Sequence, residues 1–313
     1  MPSPRTAEPA ATTRRRACYR LAGQTVDAPP LAPGLYLVAT PIGNLRDVTI
    51  RALEILAAAD VIACEDTRVS RKLLDHYGIT ARLVPYHDHN AAVARPKILA
   101  MLEEGAAVAL ISDAGTPLVS DPGYKLARAA SAAGHAVSAA PGPSAVLAAL
   151  AVAALPSDRF YFEGFLPPKA RARQSRIAEL ARIPATLILF ETGPRLAAAL
   201  TDLGAGLGAR EAAVCRELTK LHEEVRRGEI GALARDYAGA PAPRGEMVIV
   251  IAPPAPGERP SLGDTDALLR AALARASVRD AVAEVANLTG EPRGQVYRRA
   301  LTLTREADDG APD

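Results

Sequence analysis

The chain has 313 residues, of which 49% are hydrophobic and 23% charged, with a formal net charge of +2. This length predicts about two domains, and the composition excludes a disordered chain because it supplies ample apolar residues for a large core. The near-neutral charge means that any nucleic-acid binding must depend on local basic patches, and an aromatic content of 4% without Trp argues against an aromatic platform for base stacking.

The first half of the chain alternates short apolar runs with segments of helical periodicity. Residues 1–33 are basic and rich in Ala and Pro without an apolar segment after the arginines, which predicts a disordered tail rather than a secretion signal. The strands predicted after this tail are LYLVAT (35–40), VIACE (61–65), ARLVPY (81–86), AVALI (107–111) and HAVSAA (135–140). The predicted helices are 47–60, 68–78, 94–105, 122–134 and one that begins at Ser144. Residues 34–156 are therefore expected to form an α/β lobe with a mostly parallel sheet.

A second α/β lobe is predicted for residues 157–252. Its strands are FYFEGF (160–165), TLILFET (186–192), AAVCREL (212–218) and EMVIVIA (246–252), with a helix over 194–204. Residues 253–263 are rich in Pro and Gly and are expected to form a linker. Residues 264–306 predict a module of two or three short helices, and 307–313 an acidic disordered tail.

The loops that follow the predicted strands carry the residues best suited to a ligand site. In a parallel sheet, such loops meet at the carboxyl edge, where open α/β sheets bind ligands. The loop SDAGTPLVSDPG (112–123) is much longer than a turn requires. Asp113 can accept hydrogen bonds from a ligand, and Gly43 and Gly115 allow close approach to the backbone. Ser144 either caps a helix or contacts the ligand.

Motifs for several other chemistries are absent. The sequence has no GxxxxGK[ST], HExxH or GxSxG pattern. The cysteines Cys18, Cys64 and Cys215 are far apart and form no CxxC pair, so we expect neither a disulfide framework nor a metal site, and a reducing compartment. YHDHN (86–90) is more typical of a polar loop than of metal ligands. The longest apolar stretch, 145–155, is too short to span a bilayer, which predicts a cytoplasmic protein without a membrane partner.

Eight segments of the sequence together resemble the tetrapyrrole methylase family of S-adenosylmethionine-dependent methyltransferases, and specifically its ribosomal RNA branch. They are GLYLVATPIGNLRDVTIRAL (34–53), ADVIACEDTRVSRKLL (59–74), LISDAGTPLVSDPG (110–123), PGPSAVLAAL (141–150), FEGFLPPK (162–169), LFETGPRL (189–196), CRELTKLHEE (215–224) and RGEMVIVI (244–251). The resemblance covers about residues 34–252 and, more loosely, the C-terminal helices. The first 33 residues are an addition to the family pattern.

The resemblance implies the fold, the reaction and the partners. It implies a two-lobe tetrapyrrole methylase fold that uses S-adenosylmethionine without a metal. It also implies a homodimer that methylates the 2′ oxygen of a cytidine in the decoding region of 16S ribosomal RNA in the small ribosomal subunit. The resemblance also implies which residues contact the methyl donor, S-adenosylmethionine. By their positions in the motifs they are Ile42, Gly43, Asp113, Gly115, Thr116, Ser144, Ala145, Phe190, Glu217, Gly245, Glu246 and Met247.

Transfer of a methyl group to a ribose hydroxyl calls for a nearby base or cation, because the protonated hydroxyl is a poor nucleophile. The candidates are Glu65 and Asp66 in EDTR, Lys169 in PPK, and Lys220 with Glu223 in TKLHEE. For EDTR the alternative is a solvated loop in which Asp66 caps the next helix.

Basic residues concentrate in two segments that we expect to contact RNA phosphates. Four positive charges lie within residues 169–176 with no acid among them, and three arginines cluster around Tyr297 in the C-terminal module, where the alternative is a helix that merely packs on its neighbour. The predicted RNA-binding residues are Arg68, Lys169, Arg171, Arg173, Arg176, Arg293, Arg298 and Arg299. Recognition is expected to depend on RNA shape and phosphates, with an assembled or nearly assembled subunit as the substrate.

Two other functions remain open on the sequence alone. A small-molecule methylase acting on a precorrin would share the fold, although a small substrate needs no helical appendage beyond a linker. A non-catalytic RNA-binding or assembly factor would also share it, although intact donor loops argue against this interpretation.

Overall fold

The structure, a computed structural model, describes residues 17–119, 123–254, 262–289 and 291–309. The chain divides into two compact units. The first unit comprises Met1–Val152 together with Arg216–Glu224, and the second comprises Ala153–Cys215 together with Val225–Asp313. The segment Arg216–Glu224 thus packs with the first unit although its neighbours in sequence belong to the second.

A short antiparallel hairpin opens the described part of the first unit. Its strands are β1 (Cys18–Leu21) and β2 (Gln24–Asp27). Tyr19 is 2% exposed and packs in the same core cluster as the first two helices of the unit, and the Arg20 backbone N–H donates to the Tyr77 carbonyl at 2.7 Å. The prediction of a disordered tail over 1–33 is therefore wrong for residues 18–27, because one buried aromatic ring and strand pairing tie this segment down. Residues 1–16 lie outside the described residues.

Five parallel strands form the central sheet of the first unit. They are β3 (Gly34–Val38), β4 (Val61–Cys64), β5 (Leu83–Pro85), β6 (Ala107–Ile111) and β7 (Val137–Ala140), in the order β5-β4-β6-β3-β7. This confirms the parallel sheet predicted from the alternating pattern. The sequence runs are almost continuously apolar because both faces of the sheet are covered.

Helices on both faces cover this sheet. They are α1 (Ile50–Ala58), α2 (Thr67–His76), α3 (Ala91–Glu103), α4 (Tyr124–Ala132) and α5 (Ala145–Ala153). Helices α1 and α2 share one hydrophobic cluster with alternate strand residues, and α3 and α4 share another with the remaining ones. Helix α2 ends just before Gly78, as predicted, where φ is +62°.

A mixed five-stranded sheet organises the second unit. Its strands are β8 (Phe160–Phe165), β9 (Thr186–Thr192), β10 (Glu211–Arg216), β11 (Glu224–Glu229) and β12 (Glu246–Ile251), in the order β11-β10-β12-β9-β8. Strands β8 and β9 are parallel, whereas β9 and β12 are antiparallel, which confirms the mixed second sheet. Helices α6 (Ala170–Leu180), α7 (Gly193–Leu207) and α8 (Ile230–Ala238) share one core cluster with one face of this sheet.

Three C-terminal helices form a bundle with its own hydrophobic cluster. They are α9 (Leu262–Leu273), α10 (Val278–Thr289) and α11 (Arg293–Asp309). Val296 and Ala300 are fully buried in this cluster, as their i, i+4 spacing predicts. Most of the predicted linker, 255–261, and residues 310–313 of the predicted acidic tail lie outside the described residues. In the described ranges, no helix combines the length and apolar character needed to cross a membrane.

Candidate functional site

The order of strands in the first unit identifies the edge where a ligand is expected. Strands β3 and β6 are neighbours, but the chain leaves β3 towards β4 and leaves β6 towards β7 on the opposite side. Open α/β sheets bind ligands outside the carboxyl ends of strands at such a switch point. The loops PIGN (41–44) and SDAGTP (112–117) follow these two strands, so the motif residues predicted from sequence lie at the expected edge.

The loops after β3 and β6 are joined by a two-way backbone bridge. Thr40 and Gly115 each donate a backbone N–H to the other's carbonyl at 2.9 Å, and the Thr40 hydroxyl donates to the Ser112 carbonyl at 3.1 Å. Gly115 has a φ of +81°, and a Cβ atom there would lie 3.3 Å from Ile42 Cγ2. The structure thus brings the predicted donor-binding residues Ile42 and Gly115 into contact.

The loop after β7 joins the same cluster of loops. The Thr116 hydroxyl donates to the Pro143 carbonyl at 3.1 Å. Ser144 Oγ accepts the Leu147 backbone N–H at 3.4 Å, so Ser144 fills the capping role that was one of its two interpretations. Ala145 is the first residue of α5 and is half-buried.

Asp66 caps a helix. Its Oδ1 accepts the Arg68 backbone N–H at 2.8 Å at the start of α2, and its Oδ2 pairs with Arg68 Nη2 at 2.6 Å. Hydrogen bonds from Arg68, first from its side chain and then from its backbone, lower the Asp66 pKa to about 2. The capping alternative is thus the one that the structure supports, because a carboxylate held at so low a pKa is a weak base.

Glu65 has the opposite electrostatic environment. Its pKa is raised, first by burial and then by the negative charges of Asp113 and Asp88, while the nearby His87 acts against the shift. His87 Nδ1 is buried and has no hydrogen-bond partner among the described atoms. The sequence predicted a polar loop for YHDHN but did not predict that His87 lies near Glu65. Among the described residues, no group of three or more His, Cys, Asp or Glu is arranged to hold a metal ion.

Lys220 and Glu217 lie on the segment Arg216–Glu224 that packs with the first unit. Lys220 Nζ donates to Glu217 Oε1 at 2.8 Å. A Cβ atom on Gly43 would lie 2.5 Å from Lys220 Cγ, so the lysine stem packs directly against the Gly43 backbone. Glu217 and Thr219 have φ values of +49° and +67°, which are strained for residues other than glycine. Glu223 Oε2 accepts the Thr219 backbone N–H at 2.5 Å and so holds this turn.

The remaining predicted donor residues belong to the second unit. Gly245, Glu246 and Met247 run beside the end of β9, where Met247 pairs with Glu191. The Met247 side chain is buried in the core of this unit, so only its backbone can contact the methyl donor. Phe190 packs edge-to-face with two other phenylalanine rings.

Glu191, which directly follows Phe190, was not predicted from the sequence. The residue is 3% exposed, and its Oε1 accepts the Thr192 backbone N–H at 2.8 Å and lies 3.2 Å from Arg195 Nε. Arg195 Nη2 donates to the Leu166 carbonyl at 2.6 Å. This pair therefore fixes the end of β9 relative to the loop after β8. The only signal in the sequence was an acid inside an apolar strand.

Two of the predicted RNA contacts on α6 are wrong. Arg173 is 7% exposed and its Nη2 pairs with Asp202 at 2.6 Å. The Arg176 guanidinium makes a two-pronged contact with Glu163 at 2.6 and 2.7 Å. Residues 169–176 contain no acid, and their cations were therefore expected to be free to bind RNA. In the fold, Asp202 of α7 and Glu163 of β8 pair with Arg173 and Arg176.

Lys169 and Arg171 are exposed at the start of α6, as RNA contact requires. In the C-terminal bundle, Arg293 and Arg298 are also exposed, whereas Arg299 makes a two-pronged ion pair with Asp266. Arg299 thus ties α11 to α9 inside the bundle. The Arg68 side chain is 87% exposed but already pairs with Asp66.

Comparisons with known proteins identify the family of the chain. The family model of tetrapyrrole (corrin/porphyrin) methylases matches residues 34–234, and that of the RsmI C-terminal HTH domain matches residues 260–304. The chain is 53% identical to ribosomal RNA small subunit methyltransferase I of Mesorhizobium japonicum over 93% of this chain and 99% of the relative. It is 44% identical to the protein of that name from Escherichia coli O157:H7, covering 85% and 94%.

Solved structures share the fold at low sequence identity. Diphthine synthase matches with a TM-score of 0.55 and 16% identity over 70% of this chain and 89% of the other. A cobalt precorrin-4 methyltransferase matches with a TM-score of 0.53 and 19% identity over 70% and 94%. The chain therefore belongs to the tetrapyrrole methylase family and, within it, to the ribosomal RNA small subunit methyltransferase I group.

Proposed function

We propose that this protein transfers a methyl group from S-adenosylmethionine to small-subunit ribosomal RNA, at the 2′ oxygen of a cytidine in the decoding region of 16S RNA. The observation that carries the proposal is the joint match of the methylase family and the C-terminal HTH domain in one chain, with relatives named ribosomal RNA small subunit methyltransferase I. The 2′ oxygen of a cytidine is proposed from the family resemblance. The C-terminal bundle also favours RNA over a precorrin, because a small substrate does not need such a module.

The residues at the carboxyl edge of the first sheet fit a nucleoside-containing donor. Asp113 supplies a carboxylate that can accept from hydroxyl or amino groups, and the buried Ile42 supplies an apolar contact. Gly115 allows close approach to its backbone beside Ile42, where a side chain would crowd Ile42 Cγ2. Gly43 instead makes room for the Lys220 stem, with which a Cβ atom would collide. Thr219 Oγ1, on the segment that packs with this unit, is buried without a hydrogen-bond partner among the described residues. Such an orphaned hydroxyl is suited to a polar ligand group.

When bound, the donor supplies an electrophilic methyl group on a positively charged sulfur. The residues of this chain position the acceptor oxygen and remove its proton. We assign the general base to Glu65, because its raised pKa brings it closer to the working pH than that of Asp66. Lys220, on the segment that packs with the first unit, is the cation proposed to stabilise charge on the oxygen. Positioning accounts for about 7–11 kcal/mol of the barrier in well-oriented reactions of this kind.

The proposed substrate is an assembled or nearly assembled small ribosomal subunit, which places the reaction in the cytoplasm. Arg293 and Arg298 on α11 and Lys169 and Arg171 on α6 are the proposed phosphate contacts. We also propose a homodimer, supported by the family resemblance. Light scattering on the purified protein tests it, since a dimer has twice the 32.7 kDa of one chain.

The activity is tested with purified protein, radiolabelled donor and small subunits from cells that lack this protein. We expect one methyl group per subunit on a ribose, which alkaline hydrolysis reveals as a protected phosphodiester bond after the methylated cytidine. Labelling of a base would contradict the 2′-O assignment. No labelling of subunits or ribosomal RNA, but labelling of a precorrin, would support the alternative small-molecule methylase.

A further inference from the structure

The four phenylalanines in the chain lie on two neighbouring strands of the second unit. Phe160, Phe162 and Phe165 are on β8, and Phe190 is on β9. The Phe190 ring lies 4.9 Å from that of Phe162 and 5.7 Å from that of Phe165, both edge-to-face. A low aromatic content therefore does not prevent an aromatic cluster here, because the fold packs three of these rings together.

A β-bulge in the edge strand β8 places these rings on one face. Phe162 pairs with Ile188 and Phe165 pairs with Phe190, with a register shift between Phe162 and Gly164. The β9 partners are two residues apart and so share a face, although Phe162 and Phe165 are three apart in sequence. Gly164 adopts a φ of +78°, which the bulge requires. Without the extra residue, the Phe165 ring would point to the other face, away from Phe190.

The backbone on both sides of Phe165 is fixed. Glu163, the extra residue in the bulge, accepts two hydrogen bonds from Arg176 at 2.6 and 2.7 Å. On the other side, Leu166 is 2% exposed and its carbonyl accepts from Arg195 Nη2 at 2.6 Å. Arg176, which was predicted to bind RNA, thus pairs with the side chain of the bulge residue instead.

Phe165 is nevertheless 53% exposed between these contacts. Two prolines follow Leu166, and then come Lys169 and Arg171, which are both exposed and have no acidic partner in the described part of the chain. An exposed ring followed within six residues by two exposed cations suits RNA, which offers flat bases for stacking and phosphates for the cations. An uncharged protein surface is a poorer partner, because it would offer no negative charge to Lys169 and Arg171.

We propose that Phe165, supported by Phe190, stacks on an unpaired base of the RNA substrate while Lys169 and Arg171 contact the adjacent phosphates. The proposal rests on the proposed function for the identity of the RNA. It revises the sequence-based expectation that recognition depends on shape and phosphates alone. It also gives Phe190 a role in supporting the platform, in place of the donor contact that the resemblance implies.

The absence of Trp from the chain provides a direct probe. Phe165→Trp creates a sole tryptophan, and we expect a single-stranded cytidine oligonucleotide to quench its fluorescence by stacking. Phe160→Trp is the matched control, because Phe160 is 44% exposed at the opposite end of the same strand. Its fluorescence is expected to stay unchanged in the same titration.

Kinetics provide a second readout. Phe165→Ala should lower kcat/KM for the small subunit roughly 5- to 150-fold, which is the range for loss of one base-stacking contact. Its affinity for the donor should equal that of the wild type, and Phe165→Tyr should restore most of the activity. Phe160→Ala should have wild-type kinetics.

Unchanged fluorescence of the Phe165→Trp protein with RNA, or wild-type kcat/KM for Phe165→Ala, would overturn the proposal. A fluorescence change that follows protein concentration without RNA would also overturn it, since the ring would then contact a second copy of the chain. If the wild type fails to methylate subunits while RNA still quenches the new tryptophan, the proposed function is wrong and the platform stands.

Discussion

Asp113 Oδ1 accepts the backbone N–H of Asp66 at 3.0 Å and so links the loop after β6 to the loop after β4. The two residues are 47 positions apart in sequence, and they belong to the strand-end motifs SDAGTP and EDTR. The carboxylate proposed to contact the methyl donor therefore also positions the EDTR loop, which carries the proposed base.

Replacement of Asp113 by Ala should lower the affinity for S-adenosylmethionine about 10- to 100-fold, because hydrogen bonds to a charged group contribute about 1.5–3 kcal/mol. It should also destabilise the fold by about 1 kcal/mol through the lost contact with Asp66. Asp113→Asn is the control, since its amide oxygen can still accept from Asp66. Calorimetry that finds wild-type donor affinity in folded Asp113→Ala protein would refute the assignment.

Glu65→Gln should reduce kcat at least about 100-fold and leave donor affinity unchanged, because only the carboxylate accepts the ribose proton. In the wild type, activity should be present above the Glu65 pKa and be lost as the pH falls through it. The raised pKa moves this loss to a higher pH than for an ordinary Glu.

Asp66→Asn is the matched control for this experiment. Asn caps helices as well as Asp does, and the Asp66 pKa of about 2 lies below the pH range of the assay. We therefore expect near-wild-type kcat and an unchanged acidic limb in the pH–rate profile. If Asp66→Asn lost most of its activity while Glu65→Gln remained active, the general base would be Asp66 and not Glu65.

Gly193→Ala should destabilise the second unit by about 3 kcal/mol, because a Cβ atom there would lie 1.6 Å from the Pro243 carbonyl oxygen. Gly294→Ala is the contrasting change, since its Cβ atom would meet nothing within 4 Å on α11. It should be neutral or stabilise the bundle by up to about 1 kcal/mol. Thermal unfolding measures both, and an unchanged midpoint for Gly193→Ala would show that the Pro243 segment moves aside easily.

Deletion of residues 262–313 should leave donor binding intact and abolish methylation of the small subunit. The C-terminal bundle has its own hydrophobic cluster, so its removal need not expose the cores of the two sheets. The full-length protein should also lose RNA affinity with salt more steeply than the truncated form. If the truncated protein methylates subunits at the full rate, the bundle is not needed for RNA recognition.

Two neighbouring arginines should separate RNA contact from bundle stability. Arg298→Ala should weaken RNA binding and reduce the slope of log affinity against log salt by about 1, since Arg298 is exposed. Arg299→Ala should instead lower the stability of the bundle by about 1–3 kcal/mol, because it breaks the ion pair with Asp266. Equal salt slopes for Arg298→Ala and the wild type would remove Arg298 from the proposed interface.

The local pattern of this sequence determined most of its secondary structure and the place of its first-unit loops. Apolar runs of five or six residues separated by helical periodicity predicted the parallel sheet, since a strand covered on both faces needs a continuous apolar run. The strand-end motifs predicted that Gly43, Asp113 and Gly115 lie at one edge of the sheet, because parallel strands end at one edge. Ile42 came from the family resemblance. Strand β11 and helix α8 were not predicted, since EVRRGE is a largely charged edge strand with little apolar signal.

Only the tertiary structure decided which charged and aromatic side chains are available for binding. Arg173 and Arg176 lie in a segment without acids, yet Asp202 and Glu163 neutralise them from other elements. Tyr19 anchors a hairpin that composition assigned to a disordered tail, and a one-residue bulge brings Phe165 to the face of Phe190. The physical reason is the same in each case. Periodicity reports the local backbone, whereas strand order, register and helix packing determine which distant side chains meet.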